Sequence, residues 1–281
     1  MKKYKMFTRT VFGLAVTLLL FPAVCPAVET ININGSGSAL DMMKPMIAAY
    51  QKNNKDVRIY MEKPLGSSGA VKALLAGALD LVLSSKPLKP EEMARGARLQ
   101  LYGKTPLVMI TEKKVRKRDI TTRELEDIYS GKMATWPNGE IIRLVLRPNE
   151  DADSNLIRRL SPGMANAMDI AKSRPGMIVA VTDPDAYTTV SITPGGFGAT
   201  GMASIIAEKI PVASLTLNGV AASPKTLASG AYPLAKEISI VTTPRTPPAA
   251  HKLISFMFSP QGRAIAAKTG VLVTTGAAAR K

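Results

Sequence analysis

Apolar and polar positions from residue 28 onward fall into two alternating periods. Ile31 to Asn34 alternates with a period of two and breaks at Gly35 and Gly37, which predicts a strand running into a tight loop. Leu40, Met43, Ile47 and Tyr50 then share one face at 3.6 spacing, so a helix is expected from near Ser38. Val57, Ile59 and Met61 alternate as a second strand. A second glycine loop, Gly66-Ser67-Ser68-Gly69, leads into a helix carrying Val71, Leu74 and Leu75, and Leu79 to Leu83 reads as a buried strand. Strand, glycine loop and helix in repetition is the rhythm of an open α/β sheet.

The second half continues the alternation. Pro106 to Ile110 is an apolar strand, followed by the basic run Lys113-Lys114-Val115-Arg116-Lys117-Arg118. Thr121 and Glu124 form a capping box for a helix bearing Leu125, Ile128 and Tyr129, which Gly131 ends. Ile141 to Leu146 is a strand that runs into Arg147, and Met177 to Val181 is another. Asp183-Pro184 reads as the cap and first position of the next helix. The Pro194-Gly195-Gly196 turn and a strand from Val212 to Leu217 complete the second α/β unit. Ile238 to Thr242 is then a strand, a helix runs through Leu253, Phe256 and Met257, and a last helix starts at Ser259-Pro260 and ends at Gly270. With no repeat and no low-complexity linker, the two units are expected to be lobes joined by crossing strands. Residues 28–108 with 238–281 would form the first lobe and 109–237 the second. Ligands of such sheets sit in crevices beyond the carboxyl ends of strands.

The N-terminus changes the compartment. Lys2, Lys3, Lys5 and Arg9 precede an apolar run from Val11 to Phe21 and the small residues Ala23 and Ala27, the order of a secretory signal peptide. The run is shorter than the roughly 18–20 residues of a spanning helix. Cleavage after Ala27 is expected, giving residues 1–27 as the signal peptide and a periplasmic mature chain. A lipid anchor on Cys25 is the alternative, disfavoured by Val24 immediately before it. Cys25 is the single cysteine, so a cleaved chain has no disulfide, no cysteine metal site and no thiol nucleophile.

The net charge of +16 falls to about +12 once the four n-region cations are removed, which leaves nucleic acid, an anionic membrane surface or small anions as partners. Export argues against nucleic acid, and the basic run lacks interleaved aromatics, so it reads as a solvated loop. Enzymatic readings lack their groups. His251 is the only histidine and falls in a helix among Ala249, Ala250 and Lys252, and no Gly-x-Ser-x-Gly elbow occurs. Glu91, Glu92, Glu124 and Glu126 fall at helix starts, where the dipole favours acidic residues. No cofactor and no metal are expected, and the chain is expected to be a monomer without a transmembrane segment after processing.

Backbone N–H groups at a helix start, backed by hydroxyls, favour an anion, and glycine lets the chain approach it closely. Gly35-Ser36-Gly37-Ser38 and Gly66-Ser67-Ser68-Gly69 both have this make-up between a strand and a helix. The stretch from Gly35 to Leu88, with Gly66-Ser67-Ser68-Gly69-Ala70-Val71-Lys72 and Leu83-Ser84-Ser85-Lys86-Pro87-Leu88, resembles the phosphate-binding protein family of phosphate ABC transporters. The resemblance continues at Leu125 to Lys132 with Trp136, at Thr193 to Gly198 and at Phe258 to Gly262. It implies a two-lobed type II periplasmic-binding-protein fold, with open mixed sheets flanked by helices and a cleft that closes on an oxyanion. The implied partners are a small anion, with phosphate the candidate, and a transporter permease. By position, the implied contacts are Ser38 with the Ala39 and Leu40 backbone, then Ser67, Ser68 and Ser85, and Arg147. A guanidinium fork suits an oxyanion bidentately; the alternative is a surface arginine paired with Glu150.

The chain departs from the family in three places. Ala39 and Leu40 replace threonine and phenylalanine, and Ser85 replaces an aspartate that accepts the proton of phosphate. After Arg147, Asp151-Ala152-Asp153 stands where the family has a Ser-Gly-Thr anion loop. Two carboxylates there would repel a dianion by about 4 kcal/mol per charge pair at an effective dielectric of 20. Asp151 or Asp153 then either caps the next helix, or accepts a proton from a protonated oxyanion, or meets a cationic group on a zwitterionic solute. A sensor or surface receptor of the same fold is the alternative to transport.

Overall fold

The computed structural model describes residues 28–274, so the expected signal peptide, its cleavage site and Cys25 lie outside the described residues. The chain opens with β1 (Glu29–Gly35), α1 (Gly37–Asn53), β2 (Val57–Met61), α2 (Gly66–Ala76), β3 (Leu81–Ser84) and the short α3 (Pro90–Ala94). Next come β4 (Arg98–Glu112), β5 (Asp119–Ile120), α4 (Thr122–Ser130) and β6 (Arg143–Leu146). They are followed by α5 (Ala152–Arg158), α6 (Pro162–Ser173), β7 (Ile178–Val179), α7 (Asp183–Ile192), β8 (Gly196–Gly201) and α8 (Met202–Glu208). The chain finishes with β9 (Val212–Ser214), β10 (Thr216–Leu217), α9 (Pro224–Ala228), β11 (Ala235–Thr242), α10 (Pro248–Phe258), α11 (Pro260–Lys268) and β12 (Leu272–Val273).

The main sheet runs β2-β1-β3-β11-β4-β8-β6-β7. Its two ends are parallel: β1 pairs with β2 and β3, and β6 pairs with β7 and β8. The 15-residue β4 joins them. Its first part runs antiparallel to β11 and its last part antiparallel to β8, the handover falling between Pro106 and Leu107. The strand expected at Pro106 to Ile110 is thus the far end of a longer one, whose first residues, Arg98 to Leu101, are exposed or only partly buried and carry no clean alternation.

Two separate apolar cores flank that handover. Ile31, Ile33, Met42, Met46, Leu81, Tyr102, Ile240 and Leu253 pack on one side. Leu107, Ile120, Leu125, Ile128, Trp136, Leu144, Met164 and Phe197 pack on the other. The Trp136 ring meets Phe197 edge-on at 5.6 Å and its indole N–H donates to the Gly195 carbonyl at 3.0 Å, satisfying the polar end of a buried aromatic. The capping box at Thr121 and Glu124 and the left-handed Gly131 that ends α4 are present.

Several predicted strands are shorter. The segment from Ile141 begins as a strand only at Arg143, and that from Met177 holds only Ile178–Val179. Val212 to Leu217 divides in two, because Leu215 donates to Met109 while Thr216 and Leu217 turn aside to pair with β5. Gly35 is required by close approach: a Cβ there would fall 2.0 Å from the Leu83 carbonyl oxygen across the β1–β3 pair. Gly35→Ala is therefore expected to destabilise the fold by about 1–3 kcal/mol, read as a lower urea midpoint with an unchanged slope.

Candidate functional site

Five strand ends converge between the two cores. The loops after β1, β2 and β3 bring Ser36, Ser67 and Ser85; those after β6 and β7 bring Arg147 and Thr182-Asp183. Together they line a cavity of about 230 Å³. On the first-core wall, Ser36 Oγ lies 2.8 Å from Ser85 Oγ, and the Ser85 N–H donates to Ser67 Oγ at 2.9 Å. Ser67 sits at the start of the 11-residue α2, whose first-turn N–H groups have no partner within the helix, while Ser36 is the α1 N-cap and Ser85 follows β3.

The opposite wall is a charge cluster. Arg147 is buried and donates from Nη2 to Asp151 Oδ2 at 2.8 Å, from Nε to Asp151 Oδ1 at 3.3 Å, and from Nη1 to the Ala180 carbonyl at 3.1 Å. Its carboxylate partner is Asp151, not Glu150, since only Asp151 at the α5 N-cap faces back along the guanidinium. Asp151 also accepts from the Asp153 N–H at 2.9 Å as that cap. Below it, Lys236 of β11, only 1% exposed, lies 2.6 Å from Asp183 Oδ1 and 2.7 Å from Asp153 Oδ1. Ser38 Oγ donates to the same Asp183 oxygen at 2.6 Å. Two cations thus face three carboxylates, and the cluster offers no net positive charge.

Those carboxylates do not titrate alike. Burial would raise Asp183, but Lys236 and Arg147 hold it well below the usual carboxylate range. Burial pushes the Asp153 carboxyl up to about 7 against the pull of Lys236, with Asp183 and Asp151 adding to the rise. Although Lys236 is within ion-pair distance, neither Asp153 oxygen has an aligned hydrogen bond. Burial would lower Lys236, yet Asp153 and Asp183 hold it above the usual lysine range.

Of the residues singled out from sequence, Ser67, Ser68, Ser85, Arg147 and Asp151 border the cavity. Ser38, Ala39, Leu40 and Asp153 do not. The Ser38 hydroxyl is spent on Asp183, Ala39 packs into the first core, and the Leu40 N–H donates to the Ser36 carbonyl at 3.0 Å. Asp153 is fully buried beneath the cavity floor. Asp183 is not the helix cap that Asp183-Pro184 leads one to expect. Thr182 is the N-cap of α7, its hydroxyl accepting from the Asp185 N–H, which frees Asp183 at the first helical position to point across the cleft. Lys236 lies outside the residues expected at the site. Its signal was the period-two series Leu234, Lys236, Ile238, Ile240, which places a lysine at an inward position. His251 is exposed on α10, and Lys113, Lys114, Arg116 and Arg118 are exposed around the buried Val115.

Residues 22–261 match the profile of the PBP superfamily domain. The chain belongs to this superfamily. A "Phosphate-binding protein PstS" of Borreliella burgdorferi is 24% identical over 257 residues, covering 87% of this chain and 90% of that protein. Among solved structures, a candidate phosphate ABC transporter substrate-binding protein of Clostridium perfringens, holding phosphate, superposes with a TM-score of 0.75 at 20% identity. That likeness covers 88% of this chain and all of that one. The periplasmic molybdate-binding protein of Azotobacter vinelandii gives a TM-score of 0.62 at 14% identity, covering 87% of this chain and 100% of its own. The fold is the type II periplasmic-binding-protein fold: two α/β halves, each with its own core, with a cleft where their strand ends meet. No helix among the described residues is long and apolar enough to cross a membrane.

Proposed function

We propose that this chain is an exported, non-catalytic solute-binding protein that takes a small oxyanion-bearing solute into the cleft and delivers it to an ABC transporter permease. The observation that carries the reading is the cavity itself: strand-end hydroxyls and the α2 start on one wall, a buried arginine on the other. Hydroxyls and first-turn N–H groups donate to an anion without requiring a net charge, which suits a binding site that must also release its cargo. The halves formed by 28–108 with 238–281 and by 109–237 act as the closing lobes, the protein is a periplasmic monomer, and phosphate is the first candidate because relatives are named for it. Glu150 and Asp151 on the cavity wall favour a second reading, a zwitterionic solute whose cationic group faces them.

Thermal unfolding of the chain from residue 28 onward, scanned against phosphate, sulfate, molybdate, phosphonates and amino acids, tests both. A ligand at 100 times its Kd adds about 2.7 kcal/mol. For a chain of this size the midpoint should rise by roughly 5–10 °C. A rise with anions alone supports the first reading and a rise with amino acids alone the second. No rise with any member of the set overturns both.

A further inference from the structure

A carboxylate of the protein itself packs against the first turn of α1 and takes the Ser38 hydroxyl. Asp183 enters from α7 so closely that a Cβ on Gly37 would lie 2.7 Å from the Asp183 Cβ and 3.0 Å from its Oδ2. Its Oδ1 accepts from Ser38 Oγ at 2.6 Å and from Lys236 Nζ at 2.6 Å, while Arg147 Nη2 stands 3.8 Å from Oδ2. A helix start, a hydroxyl, a buried ammonium and a guanidinium are the donors that a tetrahedral oxyanion would use. Here Ser38 and Lys236 hydrogen-bond Asp183, the α1 start packs against it, and Arg147, bonded to Asp151, stands nearby. The Asp183 side chain is 3% exposed, so a solute cannot share these donors without displacing it.

We propose that Asp183 is a specificity-determining residue: a built-in carboxylate that fills the α1 anion cradle and excludes a free dianion from it. This rests on the oxyanion-binding reading given above. A solute's acidic group is left with the α2 side of the cavity, lined by the hydroxyl side chains of Ser36, Ser67, Ser68 and Ser85. Asp151 also covers Arg147, so Lys86 is the one cavity-lining cation without a carboxylate partner among the described residues, enough for a single negative charge. The chain therefore favours singly charged or esterified oxyanions over inorganic phosphate or sulfate.

Titration calorimetry with inorganic phosphate and with a phosphonate monoester tests this. Asp183→Asn keeps the shape and one acceptor for Lys236 but removes the charge, and should tighten phosphate by at least about tenfold. Asp183→Ser, which vacates the cradle, should do the same. Adding Ser38→Ala to either variant should reverse part of the gain. At pH 8, above the Asp153 pKa of about 7, Asp153→Asn removes a unit charge from the cluster without changing Asp183 itself, and should tighten phosphate less than Asp183→Asn. Phosphate affinity unchanged in a folded Asp183→Asn or Asp183→Ser protein would overturn the proposal, leaving Asp183 as a latch between halves. Failure of both variants to fold would do the same. Tight phosphate binding by the unaltered chain, without a gain in the variants, would uphold anion binding while sinking the role of Asp183. If no chain bound either anion, the underlying reading would fall with it.

Discussion

Replacing Lys236 by methionine is expected to destabilise the fold by about 3–5 kcal/mol, the cost of leaving buried carboxylates without their cation. Methionine fills a similar volume, so the loss would not come from a cavity. It would come from Asp153 and Asp183, which lie 2.7 and 2.6 Å from the ammonium and are both shut away from water. Asp183 retains Ser38 and the more distant Arg147, whereas Asp153 has no aligned hydrogen bond to fall back on. Adding Asp153→Asn should therefore recover part of the loss, with a coupling energy above about 1 kcal/mol. Urea unfolding of the single and double variants measures both. A Lys236→Met protein within about 1 kcal/mol of the unaltered chain would mean that water reaches the cluster.

The second large effect is a pH dependence centred on Asp153. Its folded pKa stands near 7, above the ordinary value of 3.8. The native state therefore holds that proton more tightly than the unfolded chain does. The associated stability is fully present below about pH 4 and is lost as pH rises through 7. At 1.36 kcal/mol per pKa unit, the loss is on the order of a few kcal/mol. Asp183 acts on the other side: its depressed folded pKa gives stability that is present above about pH 4 and lost as pH falls further. The cluster alone thus favours mildly acidic conditions. Asp153→Asn removes the first slope, so its stability relative to the unaltered chain should climb steadily from pH 4 to pH 8. A constant difference across that range would show that Asp153 stays ionised and that the lysine outweighs burial.

Local and tertiary information divide cleanly at this site. A glycine loop between strand and helix marked Ser67, the family resemblance marked Ser85, and the strand leading to Arg147 was visible as an apolar run ended by a charge. The long β4 was only half visible, because a strand shared by two sheet halves changes its buried face and its neighbours part-way along. Asp183 was read as a helix cap because aspartate before proline has that local preference. Thr182, one residue earlier, took the cap, a competition that sequence preference leaves nearly balanced.

What the sequence determined by itself is what depends on neighbours a few residues away. Alternation and 3.6 spacing set the α/β order, and glycine with serine set two loops suited to an anion. The signal-like N-terminus and the lack of usual catalytic groups bounded the function. Only the tertiary structure decided which donors remain available. Ser38, Asp183 and Lys236 are separated by 145 and 53 residues along the chain, yet they meet within 3.1 Å. Their charges are large and their surroundings dry, so the energy of that meeting exceeds any local propensity. An anion cradle legible in the sequence is consequently filled, in the folded protein, by the protein's own carboxylate.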